Sequence, residues 1–505
     1  MIGMLLVNLI FSLALFEPKL HTGGDNAGYI MLAESILRLG DGYSEGYRPG
    51  PPVPHTQYPF GYPLLLTPLV ALFGRNVLAF KFFSLALAVG SVALFSLLIK
   101  TIFRPVQWGV LTLAIAINPV IIDYSHWILS ESAFLFFNLL SFKLFLDSEK
   151  KEKLIPGVRF WLALVSIALT VHVRTIGMAF IIAGSAYYLL RRKWRKLLLY
   201  TVVLTALILP WVIRNTMVQE GHAPYIEQIL MKNVYSPDQG MIGVGGLLAR
   251  IGENIRIYSV REMGRVIINT NGAWEAGIIF LLISVSLTLI VVVGFLGSLV
   301  RRRNILELYT LVYMGGILIF PEVVSDVRYL MPLIPLVIIY LADGIALIAH
   351  LPLFRKVNGG KLVTAVVLLV ALISLVSQID RVPANLDMLS RYNQGDPYSG
   401  YPAPWRNLFQ AGDWICENTP EKKVITVRKP RLFYIHTGRK VDGYPFTTNT
   451  DSVLKRITSS DYVVVDAVSG TTYRYLIPAI QKVPERFKLV YRLDKPFTGV
   501  LEVVK

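Results

Sequence analysis

The sequence predicts a polytopic α-helical membrane protein that ends in a small water-soluble α/β domain. Three observations carry this expectation. Of 505 residues, 54% are hydrophobic and only 16% are charged. Apolar runs near the ~20 residues needed to cross a bilayer recur along most of the chain. After Ile379 the composition changes abruptly to the mixed pattern of a soluble fold. The formal net charge of +17 does not point to nucleic acid, because the basic residues cluster in short segments between apolar runs: "RRKWRK" from Arg191, "RRR" from Arg301 and "FRKVNGGK" from Phe354. Short basic loops between spans are retained on the cytoplasmic side. The single cysteine, Cys416, excludes an intramolecular disulfide and a Cys-based metal site.

Residues 1–16 lack a basic leader and a small-residue cleavage site, so they read as a retained first span rather than a signal peptide. Further spans are expected over 77–99, 108–122, 127–146, 160–171, 175–190, 197–213, 274–300, 305–320, 329–351 and 362–379, about eleven in total. A cytoplasmic N-terminus makes every even-numbered connection cytoplasmic. Those connections hold Lys100 and Arg104; Lys150, Lys151, Lys153 and Arg159; the two Arg-rich loops; and Arg355, Lys356 and Lys361. All are basic, so the odd-numbered connections and the C-terminal region fall outside a plasma (inner) membrane.

The transmembrane domain is therefore expected over 1–379, with long extracytoplasmic loops at 17–76 and 214–273. The first loop holds a helix starting near Asp25, the Pro-rich "YRPGPPVPHTQYPFGYP", and an apolar stretch over 62–73 that is too short to cross and reads as re-entrant or interfacial. In the helix, Tyr29, Ile30, Ala33, Ile36 and Leu37 recur at helical spacing, with Glu34 and Arg38 one turn apart, so it is expected to lie flat on the membrane. A second loop as long as 214–273 usually means a lid or binding surface. Residues 386–505 read as an extracytoplasmic α/β domain: "KKVITV", "DYVVVDAV", "FKLVYRL" and "GVLEVV" as strands, "TDSVLKRITSS" and "TYRYLIPAIQKV" as helices.

Charge near hydrocarbon is costly and usually faces protein or a water-filled cavity. On the outer side the candidates are Asp25; Asp123, His126 and Glu131; His172 and Arg174; Arg214; and Glu322, Asp326 and Arg328. Acids and arginines on one side suit transfer of a sugar from a lipid-linked phosphate. Nucleotide sugars are confined to the cytoplasm, so an outward-facing enzyme draws its donor from a membrane lipid. Phosphate leaves without being protonated, arginines stabilise its developing charge, and one carboxylate suffices to take the acceptor's proton.

The segments "GGDNAGYIMLAESI", "YPFGYPLLLTPLVALFG", "LSESAFLFF", "VRTIG", "PWVIRN" and "DVRYLMPLIPLVIIYLADGI", in that order and on one side, resemble the polyprenyl-phosphate-sugar-dependent transferases of the GT-C superfamily, in particular the branch with protein mannosyltransferases and the lipid A aminoarabinose transferase. The likeness covers residue 1 to about 379. It implies an inverting glycosyltransferase with Asp25 as catalytic base and Arg174, Arg328 and, more loosely, Arg214 on the donor phosphate. Where the family often has two adjacent acids, Asn26 follows Asp25 here, which makes Glu131 the candidate second acid. No metal or other cofactor is implied. The partners would be a polyprenyl-phosphate sugar and a protein, lipid or glycan acceptor.

Blander roles compete at each position. Asp25 could simply cap its helix, Glu131 could cap a span, and Arg328 could pair with Asp326 or reach the head groups. His55, His126 and His172 lack the spacing of a metal site. A flippase of lipid-linked sugars would share the arginines but needs inverted repeats or broken helices; an inactive scaffold is the third reading.

Overall fold

The computed structural model describes residues 1–40, 42–150, 157–218, 225–236, 239–268, 277–352 and 358–505. Lys151, Lys153, Trp274, Arg355 and Lys356 lie outside the described residues. The chain is a multi-pass helical bundle followed by a sheet-containing domain at one of its ends. Five described helices are long and apolar enough to cross a membrane: Val77–Ile99, Trp194–Met217, Ile278–Arg301, Val327–Ala349 and Gly359–Asn393. The pair Pro105–Ala116 and Pro119–Ser125 is apolar and long enough only when the two are taken together, which makes six if they form one span; the pair is bent by 49° where Asn118 caps the second half and Pro119 opens it. The shorter apolar helices Ile2–Ala14, Gly61–Phe73, Val158–Val173, Thr175–Leu190 and Ile305–Leu318 complete the bundle with Ser130–Glu149. The expected count of eleven is thus not reached by length and apolarity alone.

Small residues permit the tightest helix crossing. A Cβ at Gly294 would meet the Tyr340 carbonyl, and one at Gly344 the Ile290 carbonyl, so the backbones of Ile278–Arg301 and Val327–Ala349 touch there. Asp343, deep in this pair, takes hydrogen bonds from Ser298 Oγ and Arg302 Nη2 at 2.8 Å each. The basic loops gather at the bundle end opposite the sheet domain: Glu149 pairs with Lys193 and Lys196, and Arg191 reaches the Arg303 carbonyl.

The first-loop helix Asp25–Leu37 departs from the flat-lying expectation. Residues 26–33 are all buried, because the helix is sandwiched between Gly61–Phe73 and the C-terminal helix Pro430–Thr437. Tertiary packing on both sides, invisible to a one-sided amphipathic pattern, overrides it. Glu34 sits within 3.9 Å of Arg38 but is also held bidentately by Arg75.

The first loop carries a two-stranded ribbon, β1 (Ser44–Glu45) and β2 (Val53–Pro54). The C-terminal region holds a five-stranded sheet of β3 (Ile425–Thr426), β4 (Val441–Asp442), β5 (Tyr462–Val465), β6 (Phe487–Leu493) and β7 (Thr498–Val503), ordered β4-β3-β5-β7-β6. β3 runs parallel to β4 and β5, and β7 antiparallel to β5 and β6. The last span does not stop at Ile379: Gly359–Asn393 continues as one helix out of the bundle, carrying the chain to the sheet domain.

That domain is fixed to the first loop by a buried ion pair. Arg431 Nη2 lies 2.5 Å from Glu45 Oε1, which also meets His55 Nδ1 at 2.8 Å. Burial opposes the Glu45 charge, yet Arg431 and His55 outweigh it and hold the carboxyl at about 2. Arg431→Ala leaves Glu45 buried without its guanidinium and should loosen docking by on the order of 3 kcal/mol. Faster proteolysis of the 394–402 linker, with the bundle intact, is the expected result.

Candidate active site

The cavity that matters lies where the bundle meets the first loop and encloses about 340 Å3, with Asp25, Tyr29, Tyr58, Arg174, Arg328 and Tyr329 among its lining. Asp25 is the first residue of its helix, but not its cap: Gly24 holds that position with φ +92°, a conformation suited to glycine. The carboxylate is therefore free for other partners. Oδ1 accepts a hydrogen bond from Tyr58 Oη at 2.8 Å, and Oδ2 accepts one from Arg328 Nη1 at 2.9 Å. Burial raises the carboxyl's pKa, but Arg328 and the Tyr58 hydrogen bond outweigh it and keep Asp25 below the ordinary aspartate range. Burial and the neighbouring Asp25 push the Tyr58 hydroxyl up, so it remains a donor.

One helical turn on, Tyr29 bonds to Ser130 Oγ at 3.1 Å, joining the first-loop helix to the start of Ser130–Glu149. Beside Ser130, Glu131 is fully buried, and its Oε1 accepts from both Arg174 Nη1 and Arg328 Nε. Arg174 comes into place because the chain turns extended (φ −148°) after Val158–Val173. Arg328 comes from the first turn of the helix that Asp326 caps. Arg328 thus bridges the two acids and does not pair with Asp326, which lies near Arg265.

Four of the five sequence candidates, Asp25, Glu131, Arg174 and Arg328, converge. Arg214 does not join them. Its guanidinium is spent on carbonyls of the first loop, with Nη2 at 2.7 Å from Gly42 and Nη1 at 2.5 Å from His55, and it is absent from the described cavity lining. Asn26, next to Asp25, is buried and donates to the His21 carbonyl at 2.7 Å; its side chain braces the loop. Three of the other outer ionisable groups have structural partners: Asp123 with Arg381 at 2.7 Å, His172 with the Leu207 carbonyl at 3.1 Å, and Glu322 with Arg250 at 3.1 Å; His126 is buried with its Nδ1 unpaired among the described residues. Among the described residues, no three His, Cys, Asp or Glu side chains form a metal-ligand cluster.

Three residues escaped the sequence reading. Tyr58 was one of many aromatics in a Pro-rich run. Arg431, from the soluble domain, donates to Tyr58 Oη at 3.2 Å and so supports Asp25 from behind. Lys81, buried inside the second span, donates to the carbonyls of Glu17 at 2.6 Å and His126 at 2.8 Å, tying the loop entrance to the bundle. Its position within an apolar run was the available signal. The loop at 214–273 does contribute to the cavity, through Gln228, Ile229, Val234 and Tyr235. It is held by buried Arg250, which donates to the carbonyls of Ile229 at 2.5 Å and Met231 at 2.6 Å.

Removing the Tyr58 hydroxyl takes away a hydrogen bond to the charged form of Asp25, so its pKa must rise. In Tyr58→Phe the Asp25 carboxyl should therefore titrate at higher pH than in the parent protein. A comparison of the Asp25 titration in the two proteins checks this.

No family model matches the sequence, and no curated protein matches it. Solved structures do match the fold. The crystal structure of Archaeoglobus fulgidus oligosaccharyltransferase tethered to an acceptor peptide with the NVT sequon aligns at a TM-score of 0.56 and 15% identity, over 100% of this chain and 74% of that one. The structure of ArnT from Cupriavidus metallidurans bound to undecaprenyl phosphate aligns at 0.58 and 12% identity, over 99% of this chain and 97% of that one. The sheet domain falls within both alignments. The chain shares the fold of these two transferase structures.

Proposed function

We propose that the protein is an inverting glycosyltransferase that moves a sugar from a polyprenyl-phosphate donor to an acceptor outside the cytoplasm, with Asp25 as general base. The observation that supports this best is the Asp25–Arg328–Glu131–Arg174 chain, in which Asp25, Arg328 and Arg174 line one cavity at the bundle end that carries the soluble domain and Glu131 is buried behind the two arginines. The basic loops at the opposite end support a cytoplasmic face there, and with it the reading of a cytoplasmic N-terminus and a sheet domain outside a plasma membrane.

In this reading Asp25 takes the proton of the acceptor O–H as that oxygen attacks the anomeric carbon. The bond from that carbon to the phosphate oxygen breaks, and its electron pair leaves with the polyprenyl phosphate. The charge balance explains the shared arginine. A phosphodiester donor carries one negative charge and the leaving phosphate two, while Asp25 goes from one to none. Arg328 therefore loses the charge on Asp25 as the phosphate gains one, and its pairing passes from the base to the leaving group with no net change in the site. Arg174 adds a second donor. Glu131 keeps both guanidiniums in register from a buried position.

A carrier or an inactive scaffold would not depend on the basicity of residue 25. Asp25→Asn should lower sugar incorporation in membranes by at least about 100-fold while the chain still folds and binds polyprenyl phosphate; a variant that transferred sugar at close to the parent rate would refute the assignment.

A further inference from the structure

Asp25 also lines a second, smaller cavity of about 190 Å3 on its other side, walled by Gly23, Tyr47, Arg428, Lys429 and Arg431. Every described lining residue comes from the first loop or the soluble domain, none from a span. A polyprenyl tail, which must stay in hydrocarbon, therefore has no path to this cavity, whereas span ends line the main one. The base stands between a membrane-facing and a water-facing chamber.

The charges of the second chamber are not balanced within it. Arg431 is matched by Glu45 and Asp25 by Arg328. Among the described residues Arg428 bonds only to the Thr471 hydroxyl, at 2.5 Å, and it lies over the Phe446 ring. Lys429 has the Trp405 ring 5.7 Å away and, among the described residues, no hydrogen bond or ion pair. The nearby acid, Asp466, is buried and accepts from Val468 N and Thr472 Oγ1 instead. Burial and Arg428 together pull the Lys429 ammonium below the ordinary lysine range, although Asp25 and Asp466 act in the other direction. A cation drawn partly out of water without a counter-ion is costly, and a ligand anion would relieve that cost.

We infer that this chamber is the acceptor subsite, and that it takes a sugar-like hydroxyl acceptor bearing a phosphate or carboxylate beside the nucleophilic oxygen, with the anion on Lys429 and Arg428 and the hydroxyl towards Asp25. The inference rests on the reading of Asp25 as base. The volume lies below the ~300 Å3 at which drug-sized pockets begin, so the chamber holds one head group and the remainder of the acceptor stays outside.

The test uses the full chain in nanodiscs, with and without saturating undecaprenyl phosphate. Glucose 6-phosphate, glucuronate, glucose and the peptide acetyl-Asp-Ser-Asp-amide are titrated by ligand-observed NMR. In the presence of the lipid, at least one anionic sugar should bind about tenfold more tightly than glucose, and the stronger of the two identifies phosphate or carboxylate. Lys429→Gln should erase that preference, Lys429→Arg should restore it, and neither should alter lipid binding or melting temperature. Equal binding of glucose and both anionic sugars, an intact preference in Lys429→Gln, or tighter binding of the peptide would overturn the inference. A wild-type chain that fails to bind the lipid yet keeps the Lys429-dependent preference would instead count against the donor reading and leave the anion subsite standing.

Discussion

Replacing Asp25 by Asn is expected to lower sugar transfer by ~10²–10⁴-fold, the range supplied by a general base, with little change in donor affinity. The amide keeps the shape of the side chain; its one oxygen can still accept from Arg328, while its NH2 faces the Tyr58 hydroxyl as a donor. It cannot take up the acceptor's proton, nor can it release Arg328 by becoming neutral. Because the lost function is realised only as the acceptor oxygen attacks, kcat should fall and the donor KM should hold. Sugar incorporation measured in membranes carrying either version, at equal protein levels, checks the split. A fall confined to KM would mean that Asp25 acts by holding substrate.

Glu131→Gln should produce the second large effect, by a different route. Glu131 has no exposure, and a single oxygen accepts from two guanidiniums. Gln removes the charge and leaves Arg174 without a carboxylate in a buried site; breaking such a pair costs on the order of 3 kcal/mol. Both thermal stability and transfer should drop. Glu131→Asp, which keeps the charge on a shorter stem, should recover most of the stability but only part of the activity, because the arginines would shift from their positions. Melting curves read beside transfer rates separate these contributions, and a Glu131→Gln chain of unchanged melting temperature would contradict the bridging role.

Much of the bundle was legible because membrane physics writes itself into composition. The 77–99 span coincides with Val77–Ile99, and "FKLVYRL" is β6 residue for residue. Ile2–Ala14 and Val158–Val173 differ from expectation by about two residues at each end, within the fraying of helix termini. The bend at Asn118 and Pro119 passed unseen inside an apolar run, since hydropathy is blind to direction. In the soluble domain the helices Ala403–Asn418 and Pro430–Thr437 went unassigned. The second of these mattered most, because it covers the first-loop helix and brings Arg431 to Tyr58.

The site divided along the same line. Asp25, Glu131, Arg174 and Arg328 stand out singly as charges at the ends of apolar runs, and the costs of placing charge there single them out. Arg214 stands out for the same reason yet serves the loop backbone, so position relative to the membrane locates a charge without naming its partner. Contributions that cross the whole chain, such as Arg431 to Tyr58 and Lys429 beside Asp25, carry no local signature. They depend on how the sheet domain folds back over the first loop.

Lipids that copurify with the chain test the central claim most directly. Mass spectrometry of the Asp25→Asn protein, in which transfer is blocked but the arginines remain, should find a polyprenyl phosphate bearing a sugar, and that lipid should be lost from Arg328→Gln. Absence of any isoprenoid phosphate from both proteins, or equal amounts in both, would contradict the account.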